Sequence, residues 1–555
     1  MTLSRAAALA IAAAFLLGGL LGHDPWKPDE GYTFGLVLHV LQTGDWVVPT
    51  LAGEPFMEKP PLYFITAAAT ARLLQPLLPL HDGARIASAL YMALAAICVV
   101  LAARRAGGAG RGVIAGMLFL GSLGLAPHAH EMLTDTALLA GFAVAFLGLA
   151  WALERPLPGG ALLGTGVGIG FMSKGLVEPA MIGLACLLLP TVFRAWRTRT
   201  YAIALAWAAC FALPWLALWP AALYARDPVL FRDWFWINNL GRYFGFAELG
   251  ADDEPWYYTR TLPWFTLPSG AVAAWALWRA WRERIVGSAS DIQLAIAVGA
   301  AIVAVLGTAS TVRSFYAMPL LVPLAVAGSR VALKVQRAGL GAAAVFAIVA
   351  LGVSVFCWAC WGWAIATGDV PPVALLQRWM PAHFHLPFEP LSFAAAAFLT
   401  ALWLWAWRNW RHLPWTHLWL ANVCVVWGVT MTLLMPWIDN ARSFRVPFSE
   451  IARRVEPGMC VLGRGLGEPQ RGMLDYFAGL KTVPAGADPE GCAYLLVQAS
   501  HSGARPPLPP GSWRLLWEGA RPGEDRERFS LWRAVDEGMQ LARRGREVAK
   551  AVGAR

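Results

Sequence analysis

Apolar runs separated by short polar connections fill this chain from residue 6 to residue 438. They predict helices at 6–22, 84–103, 112–127, 136–153, 160–177, 179–193, 201–224, 262–281, 291–309, 315–333, 339–366, 391–407 and 417–438. A helix needs roughly 20 apolar residues to cross a ~30 Å hydrocarbon layer, so the pattern reads as about thirteen transmembrane helices, the shorter ones leaning on neighbours. Every second connection collects cations: Arg104, Arg105 and Arg111; Arg155; Arg194, Arg197 and Arg199; Arg279, Arg282 and Arg284; Lys334 and Arg337; Arg408 and Arg411. Connections rich in Lys and Arg stay in the cytoplasm, which places the amino terminus inside and residues 439–555 outside. Residues 61–79 are apolar too, but spanning there would carry Arg104 and Arg105 outside. They are expected to form an interfacial helix in the first outer loop.

Composition agrees with that architecture. Of 555 residues, 57% are hydrophobic and 14% charged, against the roughly one quarter charged that soluble domains carry. The net charge of +10 sits largely in the inner connections and gives no sign of a nucleic-acid partner. Most of the 29 tryptophans read as interfacial belt and packing. Residues 1–22 read as a first span, the alternative being a cleaved signal peptide that would leave the remaining topology unchanged. Past the last span the pattern changes. Residues 439–535 carry ordinary charge, strand-like runs at 459–462, 493–498, 513–517 and 529–532, and a helical stretch at 472–478. The expected organisation is a transmembrane domain over 1–438 and a small outer α/β domain over 439–555, with a basic tail holding Arg543, Arg544, Arg546 and Lys550.

Six cysteines lie in apolar spans, where a thiol packs as a small hydrophobe. Cys357 and Cys360 have CxxC spacing but no second ligand pair. Cys460 and Cys492 are the outer pair, free or bonded according to compartment. The chain has no Walker loop and no G-x-S-x-G turn, and the glycines at 107–112 follow no strand, so no nucleotide is implied.

On this topology the outer side gathers Asp29, Glu30, Glu58 and Lys59 in the first loop and His128, His130, Glu131 and Asp135 in the second. Lys174 ends the fifth span. Arg242, Glu248, Asp252, Asp253 and Glu254 lie in the loop 225–261, Arg313 precedes the tenth span, and Arg442 follows the last. Wet loops carry charge for no special reason, Glu30 is also a helix-start carboxylate, and the histidines suit caps or interfaces. A transporter would instead hold its charges near the midplane in broken, repeated helices.

The outer charges fall within an ordered series. Thr43-Gly44-Asp45-Trp46-Val47-Val48-Pro49 precedes Glu58-Lys59-Pro60-Pro61-Leu62, followed by Leu133-Thr134-Asp135 and Gly170-Phe171-Met172-Ser173-Lys174-Gly175. Then come Phe235-Trp236, Arg242-Tyr243-Phe244-Gly245, Arg313-Ser314-Phe315-Tyr316-Ala317-Met318-Pro319 and Pro436-Trp437-Ile438-Asp439. This series, from about residue 20 to 445, resembles bacterial GT-C superfamily glycosyltransferases, in the group of lipid A aminoarabinose transferases and protein O-mannosyltransferases.

The resemblance implies a GT-C fold, a polyprenyl (undecaprenyl) phosphate-linked sugar donor, and work on the periplasmic face of the inner membrane. The implied acceptor is lipid A, or else a protein hydroxyl or another envelope glycan. Breaking the C1–O bond builds an oxocarbenium-like state beside a departing phosphate, which suits carboxylates near the sugar and cations near the phosphate. Asp29 is then the principal carboxylate: general base toward a hydroxyl acceptor, orienting toward a phosphate acceptor. Asp135 is the second, and Glu30 stands beside Asp29. Lys59, Arg242 and Arg313, with Lys174, are the expected donor-phosphate ligands. Glu58 takes a divalent-cation role by resemblance only. Asn239 stands where relatives carry a histidine partner, so no cofactor is obligatory.

Overall fold

The computed structural model describes residues 2–247, 256–373, 376, 385–484, 492–499, 508, 513–524 and 527–535. Helices α1 (Thr2–Leu17), α2 (Asp29–Thr43), α3 (Leu62–Leu74), α4 (Leu80–Leu120), α5 (Thr134–Ala152), α6 (Pro156–Lys174), α7 (Val177–Val192) and α8 (Arg199–Arg226) form the first half. The second half holds long helices at Ser269–Arg282, Ser290–Gly307, Gln336–Thr367, Pro390–Arg408 and Trp415–Leu433. Among the described residues seven helical segments are long and apolar enough to cross a membrane. That makes this a multi-pass membrane protein.

Where predicted spans are shorter or broken, the cause is local. α4 joins the predicted segment 84–103 and the first part of 112–127, as far as Leu120, in one hairpin that reverses at Gly107 and Gly108, the latter at φ +84°. The halves lie so close that a Cβ on Gly112 would stand 2.7 Å from the Val100 carbonyl oxygen. The predicted span 262–281 divides into Tyr257–Phe265 and Ser269–Arg282 around Pro268. The span 315–333 begins as a tight turn, Ser314–Leu320, around Pro319 before Leu321–Gly328. Proline supplies no amide donor and breaks the ladder at both places. α5 and α6 cross through small residues, with Gly141 against Gly166 and Gly170 and Gly148 against Gly159. In a membrane this close approach supplies the dispersion energy that apolar burial cannot.

Beyond the last long helix, Met435–Arg442 and Arg445–Ala452 lead into a five-stranded sheet. Its strands are β3 (Val461–Arg464), β4 (Thr482–Pro484), β5 (Tyr494–Gln498), β6 (Trp513–Ala520) and β7 (Arg528–Ala534); β1 (Thr50–Leu51) and β2 (Glu54–Pro55) form a separate hairpin. The order is β4-β3-β5-β7-β6, with β3 parallel to β4 and β5, and β7 antiparallel to β5 and β6. The four strand-like runs all overlap strands, and the helical stretch is the end of Glu468–Ala478. Cys460 and Cys492 are joined as a disulfide at the starts of β3 and β5. Phe34, Phe56, Tyr63 and Phe64 of the first loop share one core with Phe448, Val461, Met473 and Phe529. The α/β unit is thereby fused to α2 and α3. Glu248, Asp252, Asp253, Glu254 and the basic tail lie outside the described residues.

Candidate active site

A cavity of about 380 Å³ opens between the first loop, the loop after α8, and the Glu468–Ala478 helix. Asp29, Tyr32, Glu58, Lys59, Arg242 and Arg313 line it, with Tyr316, Asn238, Glu468 and Arg471. Five of the eight residues singled out from the sequence are therefore brought together. Lys174 lines an adjoining chamber of about 90 Å³, shared with Glu58, Lys59 and Arg242.

Asp29 occupies the first turn of α2, where a carboxylate complements the helix dipole. Its Oδ1 accepts a 3.0 Å hydrogen bond from Tyr32 Oη, and Tyr32 Oη accepts one of 2.5 Å from Lys59 Nζ. Burial disfavours the Lys59 ammonium, but Glu58 and Asp29 outweigh it and raise the pKa, keeping the group charged. Burial opposes the Glu58 carboxylate in the same way, and Lys59 and Arg242 hold its pKa down. Glu58 is ion-paired with Arg242. Asp135, in the first turn of α5, is buried and pairs with Lys174; its Oδ2 has no hydrogen-bond partner among the described residues. Lys174 Nζ lies 3.6 Å from the centre of the Tyr316 ring. Arg313 is exposed at the rim.

Glu30 goes elsewhere. Neighbours along a helix point about 100° apart, so Asp29 faces the cavity while Glu30 turns into the protein. Its carboxylate accepts from Arg85 Nε at 2.7 Å, the Met132 amide at 3.0 Å and the Trp26 amide at 3.2 Å. Burial alone would raise its pKa, yet Arg85 holds it at about 2. It does the work of a buried strut and has no place in the cavity wall. His130 lies between the carbonyls of Ala126 and Phe15, and His128 lies 3.3 Å from Glu131.

The donor set does not suit a resident divalent cation. Glu58 is taken by Arg242; Asn239 accepts from the Leu176 amide at 3.2 Å and donates to the Trp234 carbonyl at 2.8 Å. No group of three or more His, Cys, Asp or Glu converges on a cation position among the described residues.

Sequence reasoning missed Tyr32, Tyr316, Asn238, Glu468 and Arg471. Tyr32 carried a usable signal, three residues after Asp29 on one helix face. Glu468 and Arg471 carried none, since only folding brings them back over α2.

Long apolar helices around a charged pocket, packed against a fused α/β unit, define a multi-pass integral membrane protein. Residues 58–219 match the family described as dolichyl-phosphate-mannose-protein mannosyltransferase. The chain is 30% identical over 287 residues to an undecaprenyl phosphate-alpha-4-amino-4-deoxy-L-arabinose arabinosyl transferase of Pseudomonas fluorescens, covering 49% of this chain and 48% of that protein. It is 31% identical over 283 residues to the transferase of that name from Pseudomonas aeruginosa, covering 49% of each. The chain thus matches about half the length of these curated relatives. Its fold is that of ArnT from Cupriavidus metallidurans, solved bound to undecaprenyl phosphate: TM-score 0.67, 16% identity, 97% of this chain and 98% of that one. The chain resembles the GT-C glycosyltransferases of the aminoarabinose-transferase group.

Proposed function

We propose that this chain is a glycosyltransferase that moves a sugar from polyprenyl (undecaprenyl) phosphate to an envelope acceptor, an aminoarabinose-type transfer to lipid A. The observation that carries this reading is an anionic headgroup site opening onto an apolar track. Lys59, Lys174 and Arg242 meet Leu138, Val177, Met181 and Val305 around the smaller chamber. Leu306 is common to that chamber and to a groove of about 710 Å³ lined by Tyr258, Leu262, Leu320 and Leu324. A phosphate with an isoprenoid tail has this division of charge and grease.

In the reaction the C1–O bond to the donor phosphate breaks as the acceptor oxygen bonds to C1. Lys59, Arg242 and Arg313 stabilise the phosphate that leaves, through charge-assisted hydrogen bonds. Asp29, steered by Tyr32, faces the sugar. It takes the proton of a hydroxyl acceptor, and toward a phosphate acceptor, already an anion, it orients the sugar. Asp135 is a second carboxylate behind Lys174. The chemistry needs no nucleotide and no metal.

We place the pocket and the α/β unit on the periplasmic side of the inner membrane, with thirteen spans. The opposite, basic connections support this orientation: Arg111 and Arg330 both pair with Asp291, away from the cavity. Lipid A mass spectrometry of a deletion strain tests the acceptor. Loss of a pentosamine-sized addition supports lipid A, while an unchanged profile moves the acceptor to a protein hydroxyl or another glycan. Labelling of a cysteine at position 29 only from the cytosol would overturn the orientation.

A further inference from the structure

The α/β unit puts a carboxylate, Glu468, into the pocket that the reaction above does not use. Glu468 begins the Glu468–Ala478 helix and lines the same cavity as Asp29, Lys59 and Arg313. Its position is set by close packing. A Cβ on Gly31 would stand 2.9 Å from Pro469 Cβ, and one on Gly472 would stand 2.8 Å from the Gly31 carbonyl oxygen. Arg471 is ion-paired with Glu54, and Gln470 donates to the buried Glu527 carboxylate. The residue next to Pro469 is thus held against α2, in the wall of the cavity that Asp29 also lines.

An acidic residue in a helix's first turn is favoured by the dipole alone. Glu468 does more than that accounts for. Asp29, Glu58 and Asp135 are each engaged by Tyr32, Arg242 and Lys174 respectively. Glu468 is half-buried and makes no hydrogen bond or ion pair among the described residues. Burial, and after it the Glu58 carboxylate, raises its pKa against the opposing pull of Arg471, Lys59 and Arg242, so its surroundings disfavour the charged form. An incoming cationic group relieves both penalties.

We infer that Glu468 is a specificity-determining residue that receives the ammonium group of an amino sugar on the donor, while Lys59, Arg242 and Arg313 take the phosphate. This rests on the proposed function and deepens it: the outer unit supplies, in the same chain, the group that separates an amino sugar from its hydroxyl counterpart. A charged hydrogen bond of this kind shifts relative kcat/KM about ten- to a hundredfold.

The test uses the purified full-length protein with two polyprenyl-phosphate donors, one bearing 4-amino-4-deoxyarabinose and the other arabinose. In Glu468→Gln the ratio of kcat/KM for the amino donor over the hydroxyl donor should fall about ten- to a hundredfold, and Glu468→Asp should restore part of it. A merely structural role would lower both donors together, so an unmoved ratio overturns the inference and leaves the transferase reading standing. If the wild-type protein uses neither donor while remaining folded, the transferase reading falls and this inference falls with it.

Discussion

Tyr32 donates a 3.0 Å hydrogen bond to Asp29, one turn back along α2, and is itself held by Lys59 at 2.5 Å. In the proposed reaction the phenol ties the carboxylate that would face the sugar to a cation that would face the phosphate. Removing it should loosen both without emptying the pocket. Tyr32→Phe is expected to lower kcat/KM about ten- to a hundredfold, the effect of one hydrogen bond to a charged group, with the fold retained. Steady-state kinetics with circular dichroism as control checks this; an unchanged rate would free Asp29 from its link.

Asp29→Asn keeps the shape and removes the charge. Transfer by the folded protein should drop by about a hundredfold or more, the range of a lost acid–base or orienting group. Near-normal turnover would refute the assignment.

Lys59→Ala should act differently, weakening donor binding through loss of a charge-assisted contact to phosphate. A raised KM for the polyprenyl donor is the expected readout. If KM and kcat both hold, Lys59 only anchors the loop.

The buried Glu30–Arg85 pair predicts an acid limit on stability. Glu30 is ordinarily near 4.5 and sits at about 2 in the fold. A lowered carboxylate pKa stabilises fully above the unfolded value and ceases to do so as pH falls through the folded one. That amounts to about 3 kcal/mol lost between pH 4.5 and 2. His23, lowered by burial from 6.5 to about 4, adds a loss of the same sign as pH falls through that interval, because the unfolded chain takes up its proton first. Glu30→Gln should therefore unfold earlier than wild type at pH 7, with the gap closing toward pH 2. Thermal unfolding in detergent across pH measures it.

Docking of the α/β unit should depend on two glycines. A Cβ on Gly35 would stand 2.5 Å from Leu51 Cδ1 and 3.0 Å from Gly472 Cα. Gly35→Val is expected to cost about 1–3 kcal/mol through overpacking and to displace the helix carrying Glu468 and Arg471. Activity should then fall together with protease resistance of the α/β unit. Full activity would show that the cavity does not need that wall.

Hydrophobic periodicity made the apolar helices legible, and the strand-like runs of the last hundred residues matched strands. The reversal between 84–103 and 112–127 was legible too, at the glycines that turn α4, whereas proline breaks were less visible: the 314–328 segment starts as a tight turn at Pro319. In the site, Asp29 and Lys59 announced themselves as charges beside apolar spans. Glu30 looked equivalent to Asp29 because adjacent letters carry no direction, yet helical rotation gives the two carboxylates opposite surroundings.

By itself, the sequence determined the class of molecule, since lipid tolerates only long apolar helices with their backbone bonds satisfied internally. It also placed the cations on one set of connections and the charged motifs on the other. Tertiary structure decided which of those charges meet. Residues more than 400 positions apart, Asp29 and Glu468 among them, share a cavity only because Gly31 and Gly472 let two helices touch. A linear pattern records burial along one element; it does not record the close contact between two.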